Sequence, residues 1–394
     1  MTGPLAGTKI IDLSAIIAGP MATQILADQG AQVIKVEPLG LGDLARYLGP
    51  MSGGISAMFA VTNRGKRSIA LNLKDEKGKA ILLDLVRTAD VFVENFRPGV
   101  IERLGLGYDV LAGINPKITY VNMSGFGETG PYAAQRVYDP VIQAVSGFAD
   151  SQSDPKTNEP RIIQSIVCDK VTALTAAQAI TAALLAAAKG AGGQLITLNM
   201  LDATLAFLWP DVFYNHTFLT PGIGTAPEFA KFYQVNPTND GYLTLITISD
   251  EEFRSLATAL GQEALLKDPR FATVADRLKN VEILDAEVAG ILARLSTAEA
   301  VQRLRANDVP NARVNRREDV PLDPQVRHNG ALEESTHPAA GPMRQARPAA
   351  QFTATPSRVG SPAPALGEHT DAILGELGRD AAAIKALRAA KIVG

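Results

Sequence analysis

Six short runs rich in Val, Ile or Leu punctuate the first half of the chain, at residues 9–13, 32–37, 67–73, 90–94, 118–123 and 194–198. Helical patterns lie between them. Residues 20–29 open on Pro20, which is tolerated in a first turn because its missing N–H would have had no partner there. Residues 75–89 start with acidic side chains, which complement the positive end of a helix dipole. Strand–helix–strand alternation with apolar strands predicts a parallel sheet covered on both faces, an α/β fold.

The pattern changes over residues 232–249. Asp240-Gly241 precedes an alternating strand over 242–248, and the helices after it are charged and amphipathic. The spacing predicts a smaller α+β domain over residues 226–315, joined by linkers at 201–225 and 316–329 to a large domain built from 1–200 and 330–394. Residues 321–364, rich in Pro, Ala and Gln, read as an extended connection, with helical segments returning at 370–377 and 382–390. A length of 394 residues agrees with two domains rather than one.

Composition narrows the function classes. The chain is 46% hydrophobic and 20% charged with a formal net charge of -3, which gives no electrostatic reason to expect nucleic acid or a membrane surface as partner. Its one cysteine, Cys168, excludes an intramolecular disulfide and a Cys-based metal cage. The first residues lack a basic segment followed by an apolar one, so a cytoplasmic location is expected. The longest uncharged run, 171–188, is mostly alanine with several threonines and is expected to be a buried helix rather than a membrane span.

Candidate chemistry lies at a few places. Gly125-Phe126-Gly127-Glu128-Thr129-Gly130 matches G-x-G-x-x-G after a strand, but Pro131-Tyr132 follows where a helix should open, and the strand is the fifth. A tight loop exposing backbone at a strand's C-terminal end describes it better than a nicotinamide site. The four histidines, His216, His328, His337 and His369, show no metal or triad spacing. Asp169 stands just ahead of a long Ala-rich helical run, where a carboxylate serves as a helix cap or, held ionised by the helix dipole, as a nucleophile. Lys74, Arg97, Arg103 and Arg136 form a loose basic set near strand ends. They are either solvated surface charge or the grip for a phosphate-rich ligand, with Phe96 offering a flat face for an adenine ring.

At these residues the chain resembles the family III CoA-transferases, a group that includes formyl-CoA and carnitine CoA-transferases and, as a divergent branch, α-methylacyl-CoA racemases. The resemblance rests on Ala18-Gly19-Pro20, Gly30–Pro38 with Gly42-Asp43 and Arg46, and Asn63–Ser68. It continues through Glu94–Gly99 with Leu104–Tyr108, Gly125–Tyr132, and Ala365–Thr370. It implies a Rossmann-like large domain, a small domain, and two protomers interlocked like linked rings. It places the nucleophile at Asp169, and Ile17, Ala18, Leu71, Lys74, Asn95, Phe96, Arg97, Arg103, Arg136, Val137 and Tyr138 around CoA.

The implied reaction moves CoA between carboxylic acids through an acyl-aspartyl anhydride and an aspartyl-CoA thioester. Acyl-CoA is a substrate, and no permanently bound cofactor or metal is expected. An α-carbon racemase of acyl-CoA thioesters is the alternative within the same fold. The racemases carry His immediately before the aspartate that is Asp139 here, and this chain has Tyr138. Formyl-CoA transferases carry Gln at the position of Ile17, so formate–oxalate exchange is not the expected reaction. Ile16-Ile17 points to a less polar acyl group. A CoA-binding protein without turnover and an NAD-dependent dehydrogenase are the readings from other classes.

Overall fold

The computed structural model describes residues 2–154, 156–227 and 233–394. The chain divides into two compact units, Met1–Leu208 with His328–Gly394, and Trp209–Arg327. Residues 228–232, within the span expected for the small domain and reaching into its change of pattern at 232, lie outside the described residues, as do Met1 and Pro155.

The larger unit is built on a six-stranded parallel sheet. Along the chain come β1 (Lys9–Asp12), α1 (Ala18–Asp28), β2 (Gln32–Glu37), β3 (Lys66–Ala70), α2 (Glu76–Val86), β4 (Val91–Glu94) and β5 (Thr119–Ser124). They are followed by α3 (Asp139–Val145), α4 (Val167–Ala188), β6 (Gln194–Asn199) and α5 (Met200–Leu208). All six strands fall on the apolar runs of the sequence, with no end moved by more than three residues. The spatial order is β3-β2-β1-β4-β5-β6. It reverses direction between β1 and β4, and in open α/β sheets the crevice outside such a switch point takes ligands.

Period-two alternation explains the layers. Ile11, Phe92 and Tyr120 point into a core shared with Leu82 and Val86 of α2. Their neighbours Ile10, Val91, Val93 and Val121 point to the opposite face, against Ala22 and Leu26 of α1 and Ala173, Ala176 and Ile180 of α4. Leu26 is fully buried there; truncating it to Ala costs roughly 2–5 kcal/mol.

The Ala-rich run forms α4, but only one face of it is covered: Cys168, Thr172, Ala176, Ile180 and Ala183 recur at helical spacing, while Leu174 and Leu185 are more than half exposed. Among the described residues it is the one helix long and apolar enough to cross a membrane by length and composition. The stretch 321–364 differs from the expected extended connection, because Leu332–His337 pairs with Gly341–Ala346 as an antiparallel hairpin. Charged side chains at Glu333, Glu334 and Arg344 hide the alternation that would have marked it.

In the second unit β7 (Asn236–Pro237), β8 (Tyr242–Leu245) and β9 (Asn311–Arg313) form an antiparallel sheet. Leu243 packs with Phe253 and Leu256 of α6 (Asp250–Ala259). Ser249 and Glu252 close a capping box on that helix.

Candidate active site

The C-terminal ends of β1, β4, β5 and β6 open on a cavity of about 220 Å³. Its wall is made by the loop after β1 (Ala15 to Ala18), the turn after β4 (Asn95 to Pro98), the glycine loop with Arg136 to Tyr138, and Asp169, Thr172 and Met200. The structure thus brings Ile17, Ala18, Asn95, Phe96, Arg97, Arg136, Val137, Tyr138 and Asp169 to one place. Leu71 is not among them; its side chain is buried in the core, where the chain bridges to Val393. Lys74 and Arg103 are exposed and stand outside the cavity wall.

Asn95 fastens the switch point. Its Nδ2 donates to the Ala15 carbonyl at 2.9 Å and its Oδ1 accepts from the Ala15 N–H at 2.8 Å, so one side chain sews the loop after β1 to the turn after β4. Glu94, fully buried, accepts from the Phe96 N–H and from Asn122 Nδ2, which fixes that turn. Burial pushes its carboxyl up to about 7. Among the described residues Arg97 and Arg136 enter no salt bridge, so their guanidinium groups are available to an anion.

The glycine loop does not open a helix; it runs through turns to α3, which removes the geometry of a dinucleotide fingerprint. Gly125 is required for another reason. A Cβ there would lie 2.2 Å from Val137 Cγ1.

Asp169 occupies the first turn of α4, while the N-cap is Ile166, with no side-chain cap. The capping role open to Asp169 from its sequence position is therefore not the one it plays. The Ala18 N–H, at the start of α1, lies near its carboxylate and favours the ionised form. Its own N–H donates to Asp139 Oδ2 at 2.9 Å, and Asp139 is in turn held by Gln143 Nε2 at 2.6 Å. Burial first, then the Asp139 carboxylate, push the Asp169 carboxyl up to about 7, against the lowering pull of Ala18. The expectation of a carboxylate kept ionised by the helix dipole gives way to one poised between its two forms. Cys168, next in sequence, is fully buried, with its thiol pushed up to about 11 mainly by that burial; this is not a reactive thiolate.

With this geometry in view, the comparisons with known proteins decide the family. The model of CoA-transferase family III matches residues 5–370. The chain belongs to CoA-transferase family III. Family membership makes it an enzyme of the transferase class. A relative named acyl-CoA transferase, from Fusarium pseudograminearum, is 37% identical over 97% of this chain and 86% of its own length. A succinate–glutarate CoA-transferase from Agrobacterium fabrum is 36% identical over 95% of this chain and 96% of its own. The crystal structure of a CAIB/BAIF family protein from Brucella suis superposes with a TM-score of 0.83 at 33% identity, covering 96% of this chain and 100% of that one.

Several residues around this cavity were not assigned a role from sequence. Asp139 had a local signal in Asp139-Pro140, which starts a helix. Of the buried set beneath the first loop, Lys35, Asp43 and Lys66 stood in the motif blocks, but nothing local marked their pairing. Lys66 Nζ reaches Asp12 Oδ2 at 2.9 Å and Lys35 Nζ reaches Asp43 Oδ2 at 2.8 Å, with all four side chains almost wholly buried. Above them Ile16 has φ +71°, a left-handed conformation that costs a β-branched residue on the order of 1–3 kcal/mol. Among the described residues no group of His, Cys, Asp and Glu is arranged to hold a metal.

Proposed function

We propose that this enzyme transfers CoA from an acyl-CoA to a carboxylic acid through Asp169. The observation that carries the reading is the Asp169 carboxyl itself. It stands at the switch-point cavity near the Ala18 N–H, beside two arginines without salt bridges, with its acidity tuned by burial and Asp139. In the larger unit, Arg97 and Arg136 hold CoA phosphates and Phe96 faces the base.

The ionised Asp169 attacks the thioester carbonyl. The C–S bond breaks, CoA leaves as thiolate, and an acyl-aspartyl anhydride forms. The thiolate then attacks the Asp169 carbonyl carbon and expels the donor acid as its carboxylate, leaving an aspartyl-CoA thioester. The acceptor carboxylate reverses both steps, and Asp169 is regenerated with no net proton gained or lost. Each attack on the Asp169 carbonyl puts negative charge on an oxygen within reach of the Ala18 N–H, the first helical amide of α1. A preoriented donor at a helix N-terminus stabilises such charge.

The same reading includes a cytoplasmic location and an interlocked homodimer. Exposed Leu174, Leu185 and Phe207 in the larger unit support a partner, as do Phe218 and Leu219 in the smaller one. Exchange between succinyl-CoA and glutarate, the pair suggested by a relative's name, is the first assay, beside acetyl-CoA with oxalate. Transfer in the wild type that is lost in Asp169→Ala supports the reading. Deuterium entering the α-carbon of an acyl-CoA with no acceptor acid present, and no transfer, would replace it with a racemase.

A further inference from the structure

We propose that Asp43, braced by Lys35, is a positioning residue of this site: it locks Ile16 in its left-handed conformation and thereby aims the Ala18 amide at Asp169. The inference rests on the CoA-transfer reading for its chemistry, though not for its geometry.

Asp43 Oδ1 accepts from the Ile16 N–H at 3.0 Å and from the Ala45 N–H at 2.9 Å. Its other oxygen meets Lys35 Nζ, which also donates to the Ser14 carbonyl at 2.9 Å. Asp12 accepts from the Ser14 N–H, and Asn95 takes both backbone groups of Ala15. Side chains, buried at Asp12, Lys35 and Asp43 and half-buried at Asn95, therefore grip the backbone at 14, 15 and 16, just before Ile17, the N-cap of α1, and Ala18, whose amide lies near Asp169. The turn that carries Asp43 is itself anchored. Glu37 accepts from the Asp43 N–H at 3.0 Å and pairs with Arg46 at 2.7 Å. Gly42, at φ +66°, has Glu37 Oε2 only 2.9 Å from where a Cβ would sit.

A β-branched residue held at positive φ relaxes unless its surroundings over-determine it. Asp43 is the side chain on its N–H. Asn at position 43 cannot replace it. An amide that turns its oxygen to Ile16 and Ala45 turns its NH2 to the Lys35 ammonium, and the flipped amide sets donor against donor at Ile16.

The test measures formation of the Asp169-bound CoA thioester from succinyl-CoA with no acceptor, alongside CoA affinity by calorimetry. Asp43→Asn is expected to slow thioester formation about 10-fold or more while CoA affinity stays within about twofold. Adding Ile16→Gly to that variant is expected to restore at least about fivefold, because glycine adopts positive φ without a clamp. A loss that only reflected weaker folding would not be restored this way. Should Asp43→Asn fail to fold, Ile16→Pro imposes the opposite φ directly and is expected to abolish thioester formation while CoA still binds. Wild-type rates in Asp43→Asn or Ile16→Pro, or a double variant no faster than Asp43→Asn, overturn the proposal. If the wild type itself forms no thioester at Asp169, the transfer reading falls instead. The clamp is then judged by crystal structures: Ile16 still at positive φ with Ala18 on Asp169 in Asp43→Asn would overturn it.

Discussion

A carboxyl pushed up to about 7 by burial and a neighbouring carboxylate is ionised in only about half of the molecules at neutral pH. Since the ionised form attacks, kcat/KM for transfer is expected to rise with pH and level off above about 7, read from a pH–rate profile with an acceptor acid ionised throughout. The same shift acts on stability. The folded state keeps a proton on Asp169 that the unfolded chain releases near the ordinary aspartate value of 3.8, so this group's contribution falls as pH rises from about 4 to 7. Asp169→Asn, which removes the charge and keeps an acceptor for Ala18, is therefore expected to raise the thermal midpoint at pH 8 and change it little at pH 4. The opposite ordering in thermal melts would remove the burial argument. At the cavity rim, Arg97→Gln or Arg136→Gln is expected to raise KM for acyl-CoA about 10-fold with kcat little changed, because a phosphate contact binds ground and transition states alike.

Elements set where these residues meet. Asn95 joins the ends of β1 and β4 by two bonds, so Asn95→Ala is expected to cost roughly 1–3 kcal/mol in urea unfolding and to lower transfer as well. Gly125→Ala forces a contact with Val137 and is expected to destabilise by about 1–3 kcal/mol, with Val137→Ala relieving part of the loss. The strands were legible in sequence because a sheet covered on both faces favours runs rich in Val, Ile and Leu, as at Val91–Glu94 and Thr119–Ser124. The site's loops were legible only through motif blocks. The bonds that shape them join residues 27 or 80 positions apart, Ile16 to Asp43 and Ala15 to Asn95, and no local pattern encodes such partners. Nor did the sequence suggest that Ile16 is left-handed, since Ile is a poor residue for it. The acidity of Asp169 was misjudged for a related reason: its helix position was visible, but its contact with Asp139, thirty residues away, was not.

For the molecule as a whole, α4 has two unlike faces. One face covers the sheet and presents Asp169 at its first turn; the other leaves Leu174 and Leu185 in the open. A homodimer covering such surface is expected to give twice the chain's 41.7 kDa by light scattering at micromolar concentration, whereas a monomer would withdraw the interlocked assembly. The chemistry at Asp169 has a direct test. The enzyme is mixed with succinyl-CoA in the absence of acceptor, quenched with hydroxylamine, digested, and the peptide containing Asp169 is weighed by mass spectrometry. The expected result is a hydroxamate on Asp169, absent when glutarate is added before the quench to drain the intermediate. An unmodified Asp169 in enzyme that turns over normally, or wild-type transfer by Asp169→Ala, would contradict the account.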